Sequence, residues 1–390
     1  MHQLSIIEKP LSKVIHGKRL NVLKEMVCAT FKAEFLTVTQ LGRAMSNTCE
    51  KNGIKKSDRF LSNSKLQDDY PIICTQLCTY LISPSSKPWI LVDWTKMPNK
   101  KFHVLRAALV ASGRAITVYE EIHDEKFLGK AKVHNNFLQN LKEILPSNCH
   151  PIIVTDAGFA VPWFKAVLRQ HWDYVGRVRG NSYYSKDNIL WQKIAGLTDI
   201  ATPTAKYIGN VSLTKTHAFK TNLYTTKSKS KGRHALTKSG NIRKDSTSKS
   251  KAKAAREPWC IVTSMPHTNN MPNKIIKIYQ SRMQIEEGIR DLKSSKYGFG
   301  FEHMLSYKPN RILILLLLAQ IAAFIAYFTG MIAEANNIQY LFQANSIKHR
   351  RVLSLCYLGK RIIKKKLLLK KMIHADSNDT DILTIGMGIC

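Results

Sequence analysis

Acidic residues are scarce in this sequence. Of its 390 residues only 27 are Asp or Glu, against 60 Lys or Arg, which leaves a formal net charge of +33. A surface with this excess binds polyanions indiscriminately, so the composition argues against an ordinary metabolic enzyme. It also argues against intrinsic disorder, because 44% of the residues are hydrophobic and 9% are aromatic. The expected partner is a nucleic acid, with an anionic membrane surface as the alternative.

Cysteine pairs at metal-ligand spacing and an export signal are also lacking. Of the eight cysteines only Cys74 and Cys78 lie close together, and no second Cys or His pair stands at zinc-ligand spacing. No structural zinc site is therefore expected. Residues 1–9 are too polar for a secretory signal peptide. We expect reduced thiols and a cytoplasmic location.

One long apolar run, residues 312–328, tests the cytoplasmic interpretation. Gln320 is its only strongly polar residue, and its length approaches the ~20 residues of a transmembrane helix. A single late transmembrane helix would place the basic remainder of the chain on the cytoplasmic side. A helix buried on all sides in a large protein has the same composition. We favour the buried helix and expect no membrane partner.

Residues 1–80 are helical in pattern and basic. Residues 36–45 predict a short capped helix, and a polar turn over 46–53 is followed by a basic helix over 54–61. Helix, turn and basic helix is the arrangement of a helix-turn-helix DNA reader, although many helical hairpins share it. The candidate DNA contacts on the second helix are Lys55, Lys56 and Arg59.

Short apolar runs separated by turn residues predict an α/β sheet with mixed strand direction after residue 85. The predicted strands are residues 89–93, 103–111, 115–121 and 151–156, and the predicted helices are residues 130–145 and 161–170. Strand character resumes at residues 258–263, and residues 272–295 predict one long helix.

Residues 225–256 differ from the rest of the chain. They hold eleven Lys or Arg, one acid and no aromatic residue, so they cannot bury a core. We expect a mobile basic loop. A solvated insertion and an electrostatic DNA contact are both compatible with this composition.

Two acids, Asp93 and Asp156, each end a predicted apolar strand. A partly buried carboxylate costs desolvation energy unless it is paired or bound to a metal ion. One such acid is often a helix cap or half of a salt bridge. Two in one sheet are harder to explain in that way.

A third acid comes from the predicted helix 272–295. At 100° per residue, its functional side chains share an arc of about 60° beside an isoleucine stripe. Glu287 is a nearby decoy that is expected to point outward. The side chains in the arc are Tyr279, Arg282, Glu286 and Lys293.

Three carboxylates from a sheet and a helix can hold two divalent cations ~3.5–4 Å apart. Oxygen-only ligands suit hard cations, so two Mg²⁺ ions are expected, with Mn²⁺ as a possible substitute. Such a site activates a water or a 3′-hydroxyl for in-line phosphoryl transfer. The predicted catalytic and metal-binding residues are Asp93, Asp156 and Glu286.

The spacing Tyr279-x2-Arg282-x3-Glu286-x6-Lys293 resembles the Y-R-E-K signature of a group of bacterial insertion-sequence DDE transposases. The sequences around Asp93 and Asp156 resemble the blocks that carry the first two catalytic acids of that group. The likeness extends to about residue 360 and includes residues 36–43, 177–180, 229–233, 257–259, 282–287, 291–293 and 342–345.

This resemblance implies a ribonuclease-H-like, retroviral-integrase-like catalytic core with a β-rich insertion, plus helical N-terminal DNA-binding and C-terminal regions. The implied domains are residues 1–80, 85–300 with an insertion at about 180–257, and 301–390. It also implies that the apolar run 312–328 packs on the protein core or contributes to the C-terminal region.

For the reaction, the resemblance implies Mg²⁺-dependent cut-and-paste transposition with a hairpin at each transposon end. It implies double-stranded DNA partners, namely terminal inverted repeats and target DNA, with a dimer when two ends are synapsed, in a bacterial cytoplasm and on the nucleoid when DNA is bound. Trp259 matches an aromatic residue that stacks on a flipped base, and a core Trp is the alternative. The remaining implied DNA contacts are Tyr279, Arg282, Lys293, Lys229, Lys231 and Arg233.

Two other functions stay open from the sequence. A ribonuclease-H-fold nuclease would cut without strand transfer, and its products would lack hairpins. A catalytically inactive transposase relative would bind DNA without metal-dependent cleavage. The intact signature positions favour the transposase.

Overall fold

The computed structural model describes residues 4–46, 48–98, 101–228, 236–237, 239–246, 248–249, 257–344 and 346–365. The chain divides into two compact units. The first combines Met1–Pro151 with Met283–Cys390, and the second is Ile152–Arg282. The first unit thus contains both ends of the chain. The division into three domains that the resemblance implies stays a prediction.

The first unit begins with six helices: α1 (Ser5–Leu11), α2 (Gly17–Lys32), α3 (Val38–Arg43), α4 (Glu50–Leu61), α5 (Ser64–Asp68) and α6 (Tyr70–Leu81). The predicted short helix is α3, and the Thr37 side chain caps it by accepting from the Gln40 amide. The basic helix α4 begins at Glu50, so the polar turn is shorter than predicted. A Cβ on Gly53 would lie 2.3 Å from the Gly42 carbonyl oxygen, so α3 and α4 cross at a glycine contact.

A three-stranded antiparallel sheet follows, in the order β3, β2, β1. Its elements are β1 (Trp89–Lys96), β2 (Phe102–Leu109) and β3 (Ile116–Asp124), and helix α7 (Ala131–Ile144) comes next. All eight residues of β2 are buried. The three strands match the predicted ones, and each extends to within a few residues of its predicted ends.

The second unit is built on a mixed sheet in the order β4, β5, β10, β9, β8, β6, β7. Strand β4 runs parallel to β5, and the other neighbours are antiparallel. The mixed strand direction confirms the prediction. The elements are β4 (Ile152–Thr155), α8 (Val161–Arg169), β5 (Asp173–Val178), β6 (Tyr183–Ser185), β7 (Gln192–Lys193), β8 (Lys206–Leu213), β9 (Phe219–Thr226), β10 (Trp259–Thr263) and α9 (Met271–Gln280).

The predicted basic loop starts later than residue 225. Thr225 and Thr226 are buried and belong to β9. Within the described part of the loop, Leu236 and Ile242 form an isolated antiparallel bridge. The candidate DNA contacts of this loop, Lys229, Lys231 and Arg233, lie outside the described residues.

The prediction of one continuous helix over 272–295 is wrong. Helix α9 ends at Gln280, and α10 (Met283–Lys293) starts three residues later. The Ser281 hydroxyl donates to the Ile278 carbonyl at 2.6 Å, and the Arg282 amide donates to Tyr279 three residues back. Serine competes in this way for the carbonyls that a helix needs. The 60° arc calculated for one straight helix therefore does not apply.

The long apolar helix α11 (Pro309–Ala335) is the one helix in the described part of the chain that is long and apolar enough to cross a membrane, and 89% of its most apolar stretch is buried. It packs on α2, β3 and α12 (Leu355–Lys365). The Gln320 side-chain nitrogen donates to the carbonyls of Thr117 and Val118 in β3, so the NH₂ group of the one strongly polar residue of the run is bonded inside the unit. These contacts are those of the predicted core helix.

Candidate active site

Asp93 lies inside β1 and not at its end, because the strand continues to Lys96. Its carboxylate accepts from the Trp94 amide at 2.8 Å. In the antiparallel register Asp93 stands directly opposite Arg106 of β2, and Arg106 stands opposite Glu120 of β3. Directly opposed residues share one sheet face. Asp93, Arg106 and Glu120 therefore form a charged row across the sheet of the first unit.

Arg106 and Glu120 form a buried ion pair. The Arg106 Nε lies 2.5 Å from the Glu120 Oε1, and the two side chains are 4% and 1% exposed. The two opposite charges of the pair offset each other beside Asp93. The Tyr70 hydroxyl donates to the Glu120 carbonyl and accepts from the Glu120 amide, which fixes the backbone at this position.

Helix α10 packs on β1 of the same unit. The Lys293 Nζ donates to the Thr95 hydroxyl at 3.3 Å and to the Lys96 carbonyl at 3.0 Å. Thr95 shares the sheet face of Asp93, two residues away. Burial lowers the pKa of Lys293, and the positive charge of Arg106 lowers it further. The structure thus brings Lys293, with the helix that carries Glu286, to the strand of Asp93.

Glu287 does not point freely outward, as the helical projection predicted. Arg114 pairs with both Glu287 and Asp291, at 2.5 Å and 2.7 Å. The Gln284 side-chain oxygen, Oε1, accepts from the Ala111 backbone amide. This side of α10 therefore packs on the β2–β3 turn, whereas the neighbouring Glu286 is exposed.

Asp156 directly follows β4 in the second unit, as predicted. One carboxylate oxygen accepts from the Gly158 amide at 2.8 Å. A Cβ at position 158 would stand 3.0 Å from that oxygen, so glycine leaves room for the carboxylate. Helix α9 packs on β4, which brings the C-terminal end of α9 towards this acid.

Tyr279 and Trp259 of the second unit pack edge to face, with ring centroids 5.0 Å apart. Tyr279 is buried, and the Arg282 guanidinium lies 5.9 Å from the centre of its ring. Burial raises the pKa of the Tyr279 hydroxyl, and the negative charge of Asp156 also raises it, against the opposing effect of Arg282. The structure therefore gathers Tyr279, Trp259, Arg282 and Asp156 in one unit.

Arg177 joins this group and was not among the predicted site residues. Its side chain is 11% exposed, and its Nη2 lies 3.6 Å from the Glu257 carboxylate. Among the described residues, its Nε and Nη2 find no hydrogen-bond partner. Its charge also acts on Tyr279. The sequence feature that could have indicated this residue is an arginine within the largely apolar segment that forms β5.

The opposite sheet face of the first unit carries Trp94. Its indole N–H donates to the His134 Nε2 at 3.1 Å, and its ring packs edge to face on His123 at 5.5 Å. The bond requires His134 to be unprotonated at that nitrogen. Burial, together with the charge of His123, lowers the pKa of His134 to about 4. His134 thus anchors the residue that follows Asp93.

Stability should depend on pH through His134. Its pKa in the folded state lies below the ordinary value of about 6.5, so the unfolded chain binds the proton more tightly and the folded state loses stability as pH falls below that value. We expect wild type to lose about 2 kcal/mol more unfolding free energy than His134→Gln between pH 7 and pH 5. Urea denaturation at both pH values measures this difference. Equal losses in the two proteins would contradict the assignment.

The candidate DNA contacts on α4 line a groove of about 650 Å³ with residues of α2. Lys55 and Arg59 are exposed, whereas Lys56 is ion-paired with Glu25. Arg19, which also lines the groove, pairs with Asp69 at 2.6 Å. Lys55 and Arg59 therefore remain the better placed cations for an external anion.

Within the described part of the chain, no group of three or more His, Cys, Asp or Glu side chains is arranged to hold a metal ion. Asp93 and Glu286 belong to the first unit and Asp156 to the second. The chemistry of the donors nevertheless fits a hard cation, because all three offer carboxylate oxygens. The triad stays a prediction.

The fold is mixed α/β, the chain is strongly basic, and carboxylates lie on β1, directly after β4 and on α10. These features fit a protein that acts on polyanions. A family model described as "Transposase DDE domain" matches residues 84–325, from just before β1 into α11. The match covers more than half of the chain, which therefore belongs to this family. No curated protein matches the chain significantly.

Membership assigns the chain to the transposases, DNA-processing enzymes that carry out phosphoryl transfer and generally depend on divalent metal ions. It supports DNA as the partner, in line with the nucleic acid that the charge predicted. The mixed sheet fits a ribonuclease-H-like core.

Proposed function

We propose that this chain is a transposase of the Y-R-E-K group, which moves an insertion sequence by a cut-and-paste reaction. The observation that carries the proposal is the family match over residues 84–325, which contains Asp93, Asp156 and Glu286. The signature positions resemble those of insertion-sequence transposases and, among them, the transposase of the composite tetracycline-resistance transposon. The β-rich insertion at about 180–257 is part of the same proposal.

In the proposed reaction, four phosphoryl transfers follow one another. Water attacks a phosphodiester at the transposon end and releases a 3′-hydroxyl. That hydroxyl attacks the opposite strand, which joins the two strands in a hairpin and frees the flanking DNA. Water reopens the hairpin, and the same 3′-hydroxyl then attacks target DNA. Each step forms one P–O bond and breaks another, so no cofactor is consumed.

Asp93, Asp156 and Glu286 would hold the metal ions, expected to be two Mg²⁺ with Mn²⁺ as a substitute. When bound, such ions activate the attacking oxygen and stabilise the departing one. The protein contributes fixed carboxylates. The Trp94 amide and the Gly158 amide each orient one oxygen of their acid, at 2.8 Å in both cases. Orientation by backbone donors lowers the reorganisation that metal binding requires.

Tyr279, Arg282 and Lys293 are proposed to hold the DNA backbone near the hairpin, and Trp259 to stack on a flipped base. Arg177 extends this set, because a guanidinium with unmatched donors suits a phosphate. Tyr279 is buried in the protein without DNA, so we expect its hydroxyl to reach DNA only after local rearrangement. Exposed Met283 replaces a Trp of some relatives, so a second stacking contact is not proposed.

We expect the cations of the α2–α4 groove to bind the DNA backbone electrostatically. Each lost phosphate contact lowers the slope of log K against log salt by about 0.9, so Lys55→Ala/Arg59→Ala should lower it by about 2. Fluorescence anisotropy of labelled DNA across a salt series measures the slope. Lys65→Ala is the matched control, since Lys65 is exposed and pairs with Asp68 outside the groove. An unchanged slope in the double variant would remove α4 from the interface.

The proposed function is tested by its products. Purified protein is incubated with Mg²⁺ and a DNA fragment that contains a transposon end, and the products are separated on a denaturing gel. A hairpin end supports the transposase. Cut strands without hairpins or joined products would favour a nuclease, and DNA binding without any cleavage would favour an inactive relative. Two synapsed ends should sediment with two copies of the chain.

A further inference from the structure

The segment 186–191, between β6 and β7 of the second unit, exposes two aliphatic side chains at its tip. Ile189 is 85% exposed and Leu190 is 64% exposed. Single exposed apolar residues are ordinary, whereas exposed apolar residues that lie side by side are a feature of surfaces that bind a partner. We call this segment the apolar tip.

The apolar tip is held in place by its own hydrogen bonds. The Asp187 carboxylate accepts from the amides of Ile189 and Leu190, at 2.8 Å and 2.9 Å, and from the Ser185 hydroxyl. These donors lower the pKa of Asp187 to about 2. The Trp191 indole N–H closes the turn by donating to the Asn188 carbonyl. Two apolar side chains are therefore presented at a fixed position.

The surroundings of the apolar tip are basic. Between residues 179 and 227 there are seven Lys or Arg and two Asp. Lys186 and Lys206 line a groove of about 440 Å³ together with Leu190 and Ile200. The Lys227 amide donates to the Thr202 carbonyl, so the basic segment 227–256 begins close to this groove. This arrangement, an apolar projection surrounded by cations, is complementary to duplex DNA, in which charged phosphates surround stacked apolar bases.

We propose that Ile189 and Leu190 form a wedge that enters the minor groove of bound DNA and bends it. Apolar side chains inserted between base steps unstack them and kink the duplex, while flanking cations hold the phosphates. The surface area that two side chains can bury is far smaller than the roughly 800 Å² that each partner buries in a stable protein interface. DNA therefore fits this surface better than a second copy of the chain. The wedge adds a bending role to the DNA handling of the proposed function and depends on it only for the presence of DNA.

The test measures DNA bending without chemistry. A mixed-sequence duplex of about 20 base pairs, which is about 68 Å long when straight, carries a donor and an acceptor dye at its ends, and protein is added in EDTA. We expect energy transfer to rise with wild-type protein and Ile189→Ser/Leu190→Ser to lose most of that rise, because wedges supply kinks of about 20–90°. The affinity should fall less than about tenfold, since phosphate contacts dominate it.

Leu168→Ser is the matched control, because Leu168 is an exposed leucine on α8 of the same unit. It should bend DNA as wild type does. Asp187→Ala keeps both aliphatic side chains but removes the carboxylate that holds their backbone amides, so it should bend DNA less than wild type.

Equal energy transfer for wild type and the tip double variant would overturn the wedge, as would a wild-type complex that leaves the duplex straight. A tip variant that alters only the self-association measured by light scattering would assign the tip to a second copy instead. Because EDTA prevents cleavage, failure of the proposed reaction does not affect this readout.

Discussion

Asp93→Ala, Asp156→Ala and Glu286→Ala are each expected to slow the nicking of transposon ends by at least about a thousandfold. Metal ions supply several kcal/mol of charge stabilisation, and each 1.36 kcal/mol is a factor of ten in rate. DNA binding should remain, because removing an acid from a chain of +33 does not weaken its attraction to phosphates. Single-turnover cleavage of end-labelled DNA in Mg²⁺ gives the rates, and anisotropy gives the affinities.

Glu287 provides a neighbouring control for Glu286. Its carboxylate pairs with Arg114, whereas Glu286 is exposed on the same helix. Glu287→Gln keeps a hydrogen-bond acceptor for Arg114 and should retain most of the nicking rate. Comparable rates for Glu286→Ala and wild type, or a thousandfold loss in Glu287→Gln, would mean that the acids were assigned to the wrong positions.

Glu120→Ala is expected to destabilise the protein by about 3–5 kcal/mol, the usual cost of breaking a buried ion pair from one side. The change removes the Glu120 carboxylate from the 4% exposed Arg106. Because Arg106 stands opposite Asp93, we also expect a lower nicking rate under conditions in which the variant is fully folded. Urea denaturation measures the loss of stability.

Glu143→Ala is the control for this loss, since Glu143 is exposed on α7. Its unfolding free energy should stay within about 0.5 kcal/mol of wild type. A Glu120→Ala protein as stable as this control would show that the Arg106–Glu120 pair does not support the fold. Glu120→Gln should fall between the two, because it keeps an acceptor for Arg106 but loses the charge.

The strands were predictable from the sequence because apolar runs bounded by turn residues have few alternative structures. Strands β1 to β4 and helices α7 and α8 lie within a few residues of their predicted positions. The run 312–328 was harder, since composition alone does not separate a membrane helix from a core helix. In the structure this run packs on α2, β3 and α12, as a core helix does, and two of those partners, α2 and β3, lie far away in the sequence.

The candidate site was less predictable in its details. A prediction from periodicity assumes a straight helix. It therefore did not include the break at Ser281, where the side-chain hydroxyl donates a hydrogen bond to the Ile278 backbone carbonyl. It also took Glu287 for an outward-pointing side chain, because the β2–β3 turn that carries Arg114 is invisible to a helical projection. Likewise, the burial of Arg177 depends on strand pairing that its own segment does not specify.

The most direct test of a metal-dependent DNA transposase is the rate of end nicking by wild-type protein with Mg²⁺ and with EDTA, with DNA binding followed in the same samples. If Asp93, Asp156 and Glu286 hold the metal ions, we expect the protein to bind DNA under both conditions and to nick it only with Mg²⁺. Nicking at the same rate in EDTA, or binding without nicking under both conditions, would contradict the account.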